Sequence, residues 1–441
     1  MNYFLIIFVN LIYLPAIKYG LVSDDATALK TNPYPVRREK IGSIVLHILV
    51  AEYIYLAFGS TLPALIAAIL FSIHPATVQI SCWRSGKYYG LNALLFLVIL
   101  TFAPISAPLY FLTLKWGLGT ITFTPLIFLF TKYWYIALIF PLLFWISWKY
   151  IKGNISSKIK GDGIFTASLP EDFTPQKFRK KNLIIMVKTF GFYFLSCLLP
   201  IKNGFYNSFL STLGSSEKSN KYWYSFNKHF WGGVFAMITM AAIWWFNRFN
   251  FIGMGIMLFV LSLIPFLNII TVQQFTASRY VYLPLIGFQI ALIGLVAQLP
   301  IIPQSAILGA LFIFYLDRTL RVMRHYSKDN ITMVELDSQV FPDNPRLWYF
   351  RYEHMLHKGN PVMAWAEATY GLKYLPEDCQ LWFGLSCASF ELGDMNAATE
   401  FLKTSERFML LTERENMAGL ILEMRQRIKK KLVDKWKGGI V

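Results

Sequence analysis

Long apolar runs, repeated along most of the chain, constrain its folding more than any other feature. A helix needs about 20 apolar residues to cross the hydrocarbon core of a bilayer. Reading apolar runs against polar breaks gives about eleven candidate spans, at 3–19, 41–58, 61–73, 90–104, 108–131, 133–148, 183–200, 231–247, 251–271, 281–299 and 304–320. The third is short, and the fifth contains Lys115 and Gly117-Leu118-Gly119, a composition that suits two half-helices. Only 15% of the 441 residues are charged, where a soluble chain would carry about a quarter. The expectation is an all-α fold, a polytopic membrane helix bundle. The first run is apolar apart from Asn2, Asn10 and Lys18 and lacks the basic start and small-residue site of a cleaved leader, so it is expected to be retained as a span.

Charge then sets orientation. The net charge of +17 lies in loops between apolar runs and at the C-terminus, a pattern that fits membrane orientation and anionic headgroups and not nucleic acid. The loop 149–182 carries Lys149, Lys152, Lys158, Lys160, Lys177, Arg179, Lys180 and Lys181 against Asp162, Glu171 and Asp172. Cytoplasmic loops are enriched in Lys and Arg, which places this loop inside. Counting spans back puts the N-terminus in the cytoplasm and Asp24-Asp25 outside. Counting forward puts everything after the eleventh span outside, on the periplasmic or lumenal side. Arg318, Arg321, Arg324 and Lys328 argue for the opposite, but folded domains translocate largely regardless of charge.

From about residue 328 the apolar runs give way to amphipathic patterning and a repeat of period 34. Pro342 recurs as Pro376, Leu347-Trp348 as Leu381-Trp382, Gly359 as Gly393, Asn360 as Asp394 and Ala364 as Ala398. Each unit reads as helix, Gly-Asn or Gly-Asp turn, helix, with a proline closing it, which is the tetratricopeptide pattern. Two domains are therefore expected, 1–327 in the membrane and 328–441 as a helical-repeat domain. Residues 405–434 would form a terminal capping helix ending in Lys429-Lys430-Lys431, a solvated helix end or a headgroup contact.

Few residues could carry chemistry. The four cysteines show no CxxC and no metal-ligand spacing, and His354 and His357 share a helix face without further ligands. No metal site is expected, although paired carboxylates such as Asp24-Asp25 also suit a hard divalent cation. Asp24 and Asp25 follow the first span, where acids are costly unless solvated or used; a wet loop or a helix cap fits them equally well. Polar groups at other span ends are His74-Pro75 with Trp83-Arg84-Ser85-Gly86-Lys87, the loop from Lys202 to His229, and Arg279-Tyr280-Val281-Tyr282-Leu283-Pro284. Span parity brings these to the face that holds Asp24-Asp25. Together an acid pair and Arg or Lys at one membrane face suit transfer from a lipid-linked phosphate: a carboxylate takes the proton of an acceptor hydroxyl, and the cations hold the departing phosphate. The aromatics Trp83, Tyr280 and Tyr282 read either as a sugar platform or as an interfacial belt, and Arg279 also fits an ordinary snorkelling anchor.

These residues resemble a known family, the transmembrane and tetratricopeptide-repeat O-mannosyltransferases and their bacterial relatives, of the GT-C glycosyltransferase superfamily. Val22-Ser23-Asp24-Asp25 falls where that family has its acidic pair. Ile73-His74-Pro75 through Trp83, Gly86 and Lys87 is similar to its His-Pro stretch, and Arg279 to Pro284 with Gly287 to its Arg-Tyr-Leu-Tyr-Leu-Pro motif. The repeats at 341–410 complete the order. The resemblance implies a membrane-embedded inverting transferase that takes a sugar from a polyprenyl- or dolichyl-phosphate donor on the non-cytoplasmic side. It implies Asp24 or Asp25 as base, Arg279 at the donor phosphate with Tyr280, Tyr282, Arg84, Lys87, His74 and Trp83 around the donor, and a repeat domain that presents an acceptor protein or glycan. Three positions depart from the family pattern: Gln79 and Tyr89 stand where acids are usual, and Lys115-Trp116 replaces a lysine–glutamate pair.

Overall fold

The computed structural model describes residues 2–18, 36–83, 86–102, 123–130, 134–146, 182–204, 225–267, 276–326, 330–342, 344–409 and 414–438. Among the described residues the fold is all-helical, with no strand. Sixteen α-helices carry the argument. The first ten are α1 (Tyr3–Tyr13, prolonged by a 3₁₀ turn to Lys18), α2 (Val36–Ala57), α3 (Leu62–Ser72), α4 (Val78–Cys82), α5 (Lys87–Thr101), α6 (Asn182–Leu198), α7 (Lys228–Asn247), α8 (Phe251–Leu263), α9 (Tyr282–Val296) and α10 (Ile301–His325). The other six are α11 (Asn330–Val340), α12 (Pro345–His357), α13 (Pro361–Leu372), α14 (Cys379–Glu391), α15 (Met395–Phe408) and α16 (Arg414–Gly438).

The apolar runs of the sequence become helices close to their expected bounds, except that most of 108–131 lies outside the described residues. Two helices, Lys228–Asn247 and Ser278–Val296, are long and apolar enough to cross a membrane. A third such span results if Leu62–Ser72 and Pro75–Cys82, bent by 58°, are taken together. The bend follows from Pro75, whose ring and missing N–H stop the α3 ladder. The last apolar run is longer than hydropathy suggested. Helix α10 continues to His325, so Arg321 and Arg324, beyond the expected end at 320, lie on the helix with Arg318, and Arg321 Nε is 2.9 Å from Asp317 one turn back.

Glycines let neighbouring helices touch backbone to backbone. At the α8–α9 crossing a Cβ on Gly255 would lie 2.6 Å from Gly287 O, and one on Gly287 would collide with Gly255 O. The α6–α7 crossing repeats the device, with Gly191 and Gly233 in contact. Small residues at crossings bring dispersion contacts and peptide dipoles close, which is how helices associate where no water is released. A single apolar core runs from Leu5 to Met333. Outside it, α7 exposes Trp231, Phe235, Ile238, Trp245 and Phe246 along its length.

The C-terminal part stacks helix pairs, and the pairs are offset by 34 residues: α12 and α14 begin at 345 and 379, α13 and α15 at 361 and 395. The repeat holds down to single hydrogen bonds. Trp348 Nε1 donates to Pro342 O (2.7 Å) and Trp382 Nε1 to Pro376 O (2.9 Å). Gly359 and Gly393 take left-handed φ values of 70° and 85°, which side-chain-bearing residues adopt at a cost, and so end the first helix of each pair. Asn360 and Asp394 then cap the second helix by accepting from the N–H of Met363 and Ala397. The terminal helix is α16, which starts at Arg414 and not at 405. Its Met417, Ile421, Met424 and Ile428 cover the last pair, while Arg427 bonds Glu391.

Candidate functional site

The site grows from the bend after α3. His74 opens the 3₁₀ turn Pro75–Thr77, its Nδ1 accepting from Ala76 N (3.2 Å) and its Nε2 donating to Cys197 O (3.2 Å). Short helix α4 follows and turns Gln79 inward. Trp83 closes α4, and Gly86 opens α5 against it. A Cβ on Gly86 would sit 3.0 Å from Gln79 O and 3.2 Å from the Trp83 ring, so the Trp-x-x-Gly spacing is a packing requirement.

Across from this bend lies the 3₁₀ turn Ser278–Val281, which leads into α9. Three consecutive residues are bonded from three separate segments of the chain. Ala277 N–H donates to Tyr193 Oη of α6 (3.3 Å), Ser278 Oγ to Gly204 O (3.4 Å), and Arg279 N–H to Gln79 Oε1 of α4 (2.9 Å). The Arg279 side chain is buried, at 6% exposure. Its Cζ lies 5.2 Å from the Trp83 ring centroid and 4.9 Å from that of Tyr280. Tyr280 is itself held flat against Phe266, with centroids 4.4 Å apart, and leans on Tyr89 at 6.0 Å. The Tyr89 hydroxyl faces the guanidinium. Aromatic faces attract a cation but do not neutralise it.

No carboxylate among the described residues forms an ion pair with Arg279. Its buried Nη1 and the buried Nε2 of Gln79 have no hydrogen-bond partner there. A buried cation with a donor left open, and no carboxylate beside it among the described residues, is expensive for a fold to keep. Donors left open on a buried cation and on the amide that bonds its main chain suit an anion.

Three of the expected site residues, Arg279, Tyr280 and Trp83, are thus brought together. His74 and Tyr282 are not with them. Both ring nitrogens of His74 are used inside the chain, and its ring packs edge-on against Tyr315 at 4.7 Å. Tyr282 points into a separate buried network, where its hydroxyl donates to His47 Nδ1 (2.7 Å) and His47 Nε2 donates to Ser72 O (3.2 Å). A carbonyl can only accept, so both histidines carry their proton on Nε2. Expecting His74 and Tyr282 at the donor came from their position in motifs, whereas the fold spends them on helix junctions. Lys87 starts α5 half-buried, its Nζ 5.8 Å from the Tyr88 ring centroid. Asp24, Asp25, Arg84 and Lys115 lie outside the described residues.

Sequence reading missed two members of the cradle. Gln79 and Tyr89 stood out only as departures from a family pattern, yet they are the residues facing the Arg279 backbone and side chain. The available signal was an amide and a phenol inside otherwise apolar runs. Among the described residues no group of three or more His, Cys, Asp or Glu could hold a metal. Comparison with protein-family models, with curated proteins and with solved structures finds no match to this chain.

Proposed function

We propose that the chain is a polytopic membrane glycosyltransferase of the GT-C type, with about eleven spans and a C-terminal tetratricopeptide domain. The donor is a sugar on a polyprenyl or dolichyl phosphate, and the acceptor is a hydroxyl, most simply of a protein Ser or Thr, on the periplasmic or lumenal side. The observation that carries this reading is the buried Arg279 guanidinium, packed on Trp83 and Tyr280 with Nη1 unmatched. A phosphodiester supplies the missing negative charge and acceptor oxygens.

In the reaction the acceptor oxygen attacks the anomeric carbon, and the bond from that carbon to the phosphate oxygen breaks with inversion. The electron pair leaves on the lipid phosphate, which needs charge stabilisation and no proton, and Arg279 provides it. The acceptor proton passes to Asp24 or Asp25. The repeat pairs present the acceptor, and the N-terminus lies in the cytoplasm.

Transfer of labelled sugar from a lipid-phosphate donor, measured in membranes for native protein and for Asp24→Asn, Asp25→Asn and Arg279→Ala, tests the reading; equal transfer by all four would sink it. A second reading follows from the neutrality of Gln79 and Tyr89. A cradle with an amide and a phenol binds an anion without supplying a base, so a membrane scaffold that holds a lipid phosphate and recruits partners through its repeats fits the same geometry. Lipid-phosphate binding without transfer from any sugar donor favours the scaffold. Transfer to a glycan or lipid-linked saccharide in place of protein would keep the fold and change the acceptor.

A further inference from the structure

Helices α10 and α11, which lead into the repeat pairs, are tied to the turn that carries Arg279. Asp337 of α11 is fully buried, and its Oδ1 lies 2.6 Å from Nδ1 of His325, the last residue of α10. The same oxygen closes over Gly204, where a Cβ would collide with Asp337 Oδ1 and lie 2.9 Å from Phe341 Cε2. Gly204 O in turn accepts from Ser278 Oγ, one residue before Arg279. The opposite wall of the cradle is braced by the same helix. Thr319 Oγ1 of α10 donates to Ile73 O (2.5 Å), and Tyr315 packs on His74, holding the bend from which Gln79 and Trp83 project.

The bond from Ser278 to Gly204, at 3.4 Å, is longer than those of Ala277 and Arg279, and it is the one of these three that faces α11 through Gly204. Small displacements matter at such a site, because an anion held by a planar guanidinium is sensitive to its placement. We infer that Asp337 is a positioning residue for Arg279: acting through Gly204 and Ser278 it sets the 278–281 turn, and it makes the repeat domain and the anion site respond to one another. The inference rests on the reading of Arg279 as the phosphate-binding residue. Energetic coupling between two sites is reciprocal, so lipid phosphate bound at Arg279 also steadies α11.

The test uses the full chain in lipid nanodiscs with a polyprenyl monophosphate as probe, reading binding affinity, thermal unfolding and amide exchange. Arg279→Ala removes binding. Asp337→Ala weakens it about tenfold, while Asp337→Asn, which keeps an oxygen towards His325 and Gly204, stays within about twofold of native. In native protein the probe slows exchange at 276–281 and at 330–340, and Ser278→Ala loses the response at 330–340. A merely structural Asp337 would lower the unfolding temperature of Asp337→Ala and leave its affinity native. Native affinity in Asp337→Ala with loss in Arg279→Ala overturns the coupling and leaves the phosphate reading standing. Native affinity in Arg279→Ala overturns both. Where Asp337→Ala does not fold, Ser278→Ala decides alone, and an unchanged response at 330–340 overturns the inference.

Discussion

Residues 2–326 and residues 330–438 both pack helix on helix, yet they treat polar groups in opposite ways. In the C-terminal part polar atoms are matched, and matched twice at an offset of 34: indole to proline carbonyl, Asn360 and Asp394 to the N–H groups they cap. The largely buried ion pair of Arg351 with Glu367, at 2.7 Å, is bonded further to Ser338. Among the described residues the buried polar atoms without partners there are Nε2 of His354 and the hydroxyl of Thr369. In the N-terminal part helices cross glycine on glycine, and among the described residues Nη1 of the buried Arg279 guanidinium is left without a partner. Matched polarity marks groups that hold the fold together. Unmatched charge, kept at a cost, marks a place where something else binds.

The largest effect expected from this contrast is at Arg279. Arg279→Ala should lower sugar transfer by about a hundredfold or more while leaving the thermal midpoint unchanged or raised, since an uncompensated buried cation is removed. Arg279→Lys keeps the charge without the planar fork and should fall between. A midpoint that drops sharply in Arg279→Ala would make Arg279 a packing residue and erase the contrast. Next is the glycine crossing: Gly287→Val drives a side chain into Gly255 O and Phe259 N and should destabilise the N-terminal part by about 3 kcal/mol, with exchange in 379–391 unaffected.

A smaller effect belongs to Asp378, which caps α14 by accepting from Leu381 N (2.9 Å). Burial lifts its carboxyl from 3.8 to about 6. The folded state therefore holds the proton more tightly than the unfolded chain does. Its contribution is fully present below about pH 4, declines by about 1.4 kcal/mol per unit as pH rises to about 6, and is flat above. Asp378→Asn keeps the cap and should flatten that slope, read as protection of 379–391 across this pH range. Smallest are the turn glycines, where Gly359→Ala and Gly393→Ala should each cost about 1 kcal/mol because alanine must adopt positive φ. Equal protection of 379–391 in native and Gly393→Ala would show that the repeat does not depend on its turns.

The two parts also differ in how much of them is legible in sequence. Apolar runs give the positions of the helices, and the 34-residue offset gives the repeat pairs to within a few residues, because both are local patterns. Partners are a different matter. Gln79 and Arg279 are 200 residues apart, and hydropathy reads a helix facing lipid and one buried in protein alike, so nothing marked α7 as peripheral and α9 as central. Span parity put the end of the third run and the start of the tenth on one membrane face, and the 3₁₀ turns at Pro75–Thr77 and Ser278–Val281 lie against each other. It could not say which side chains are spent at that junction, and so His74 and Tyr282 looked the same as Arg279.

The hydroxyls of Tyr315 and Thr319 cap main-chain carbonyls that two earlier helices leave open, Cys197 and Leu198 at the end of α6 and Ile73 at the end of α3. Ile73 and Thr319 are 246 residues apart, so ribosomal synthesis delivers the missing donor long after the acceptor has emerged. Until α10 arrives, the carbonyls of Ile73 and Leu198 lack these donors in an apolar interior, an arrangement that costs several kcal/mol. The order of translation therefore makes α10 the closing piece of assembly: a chain stopped before residue 315 keeps its early helices but leaves them unfinished.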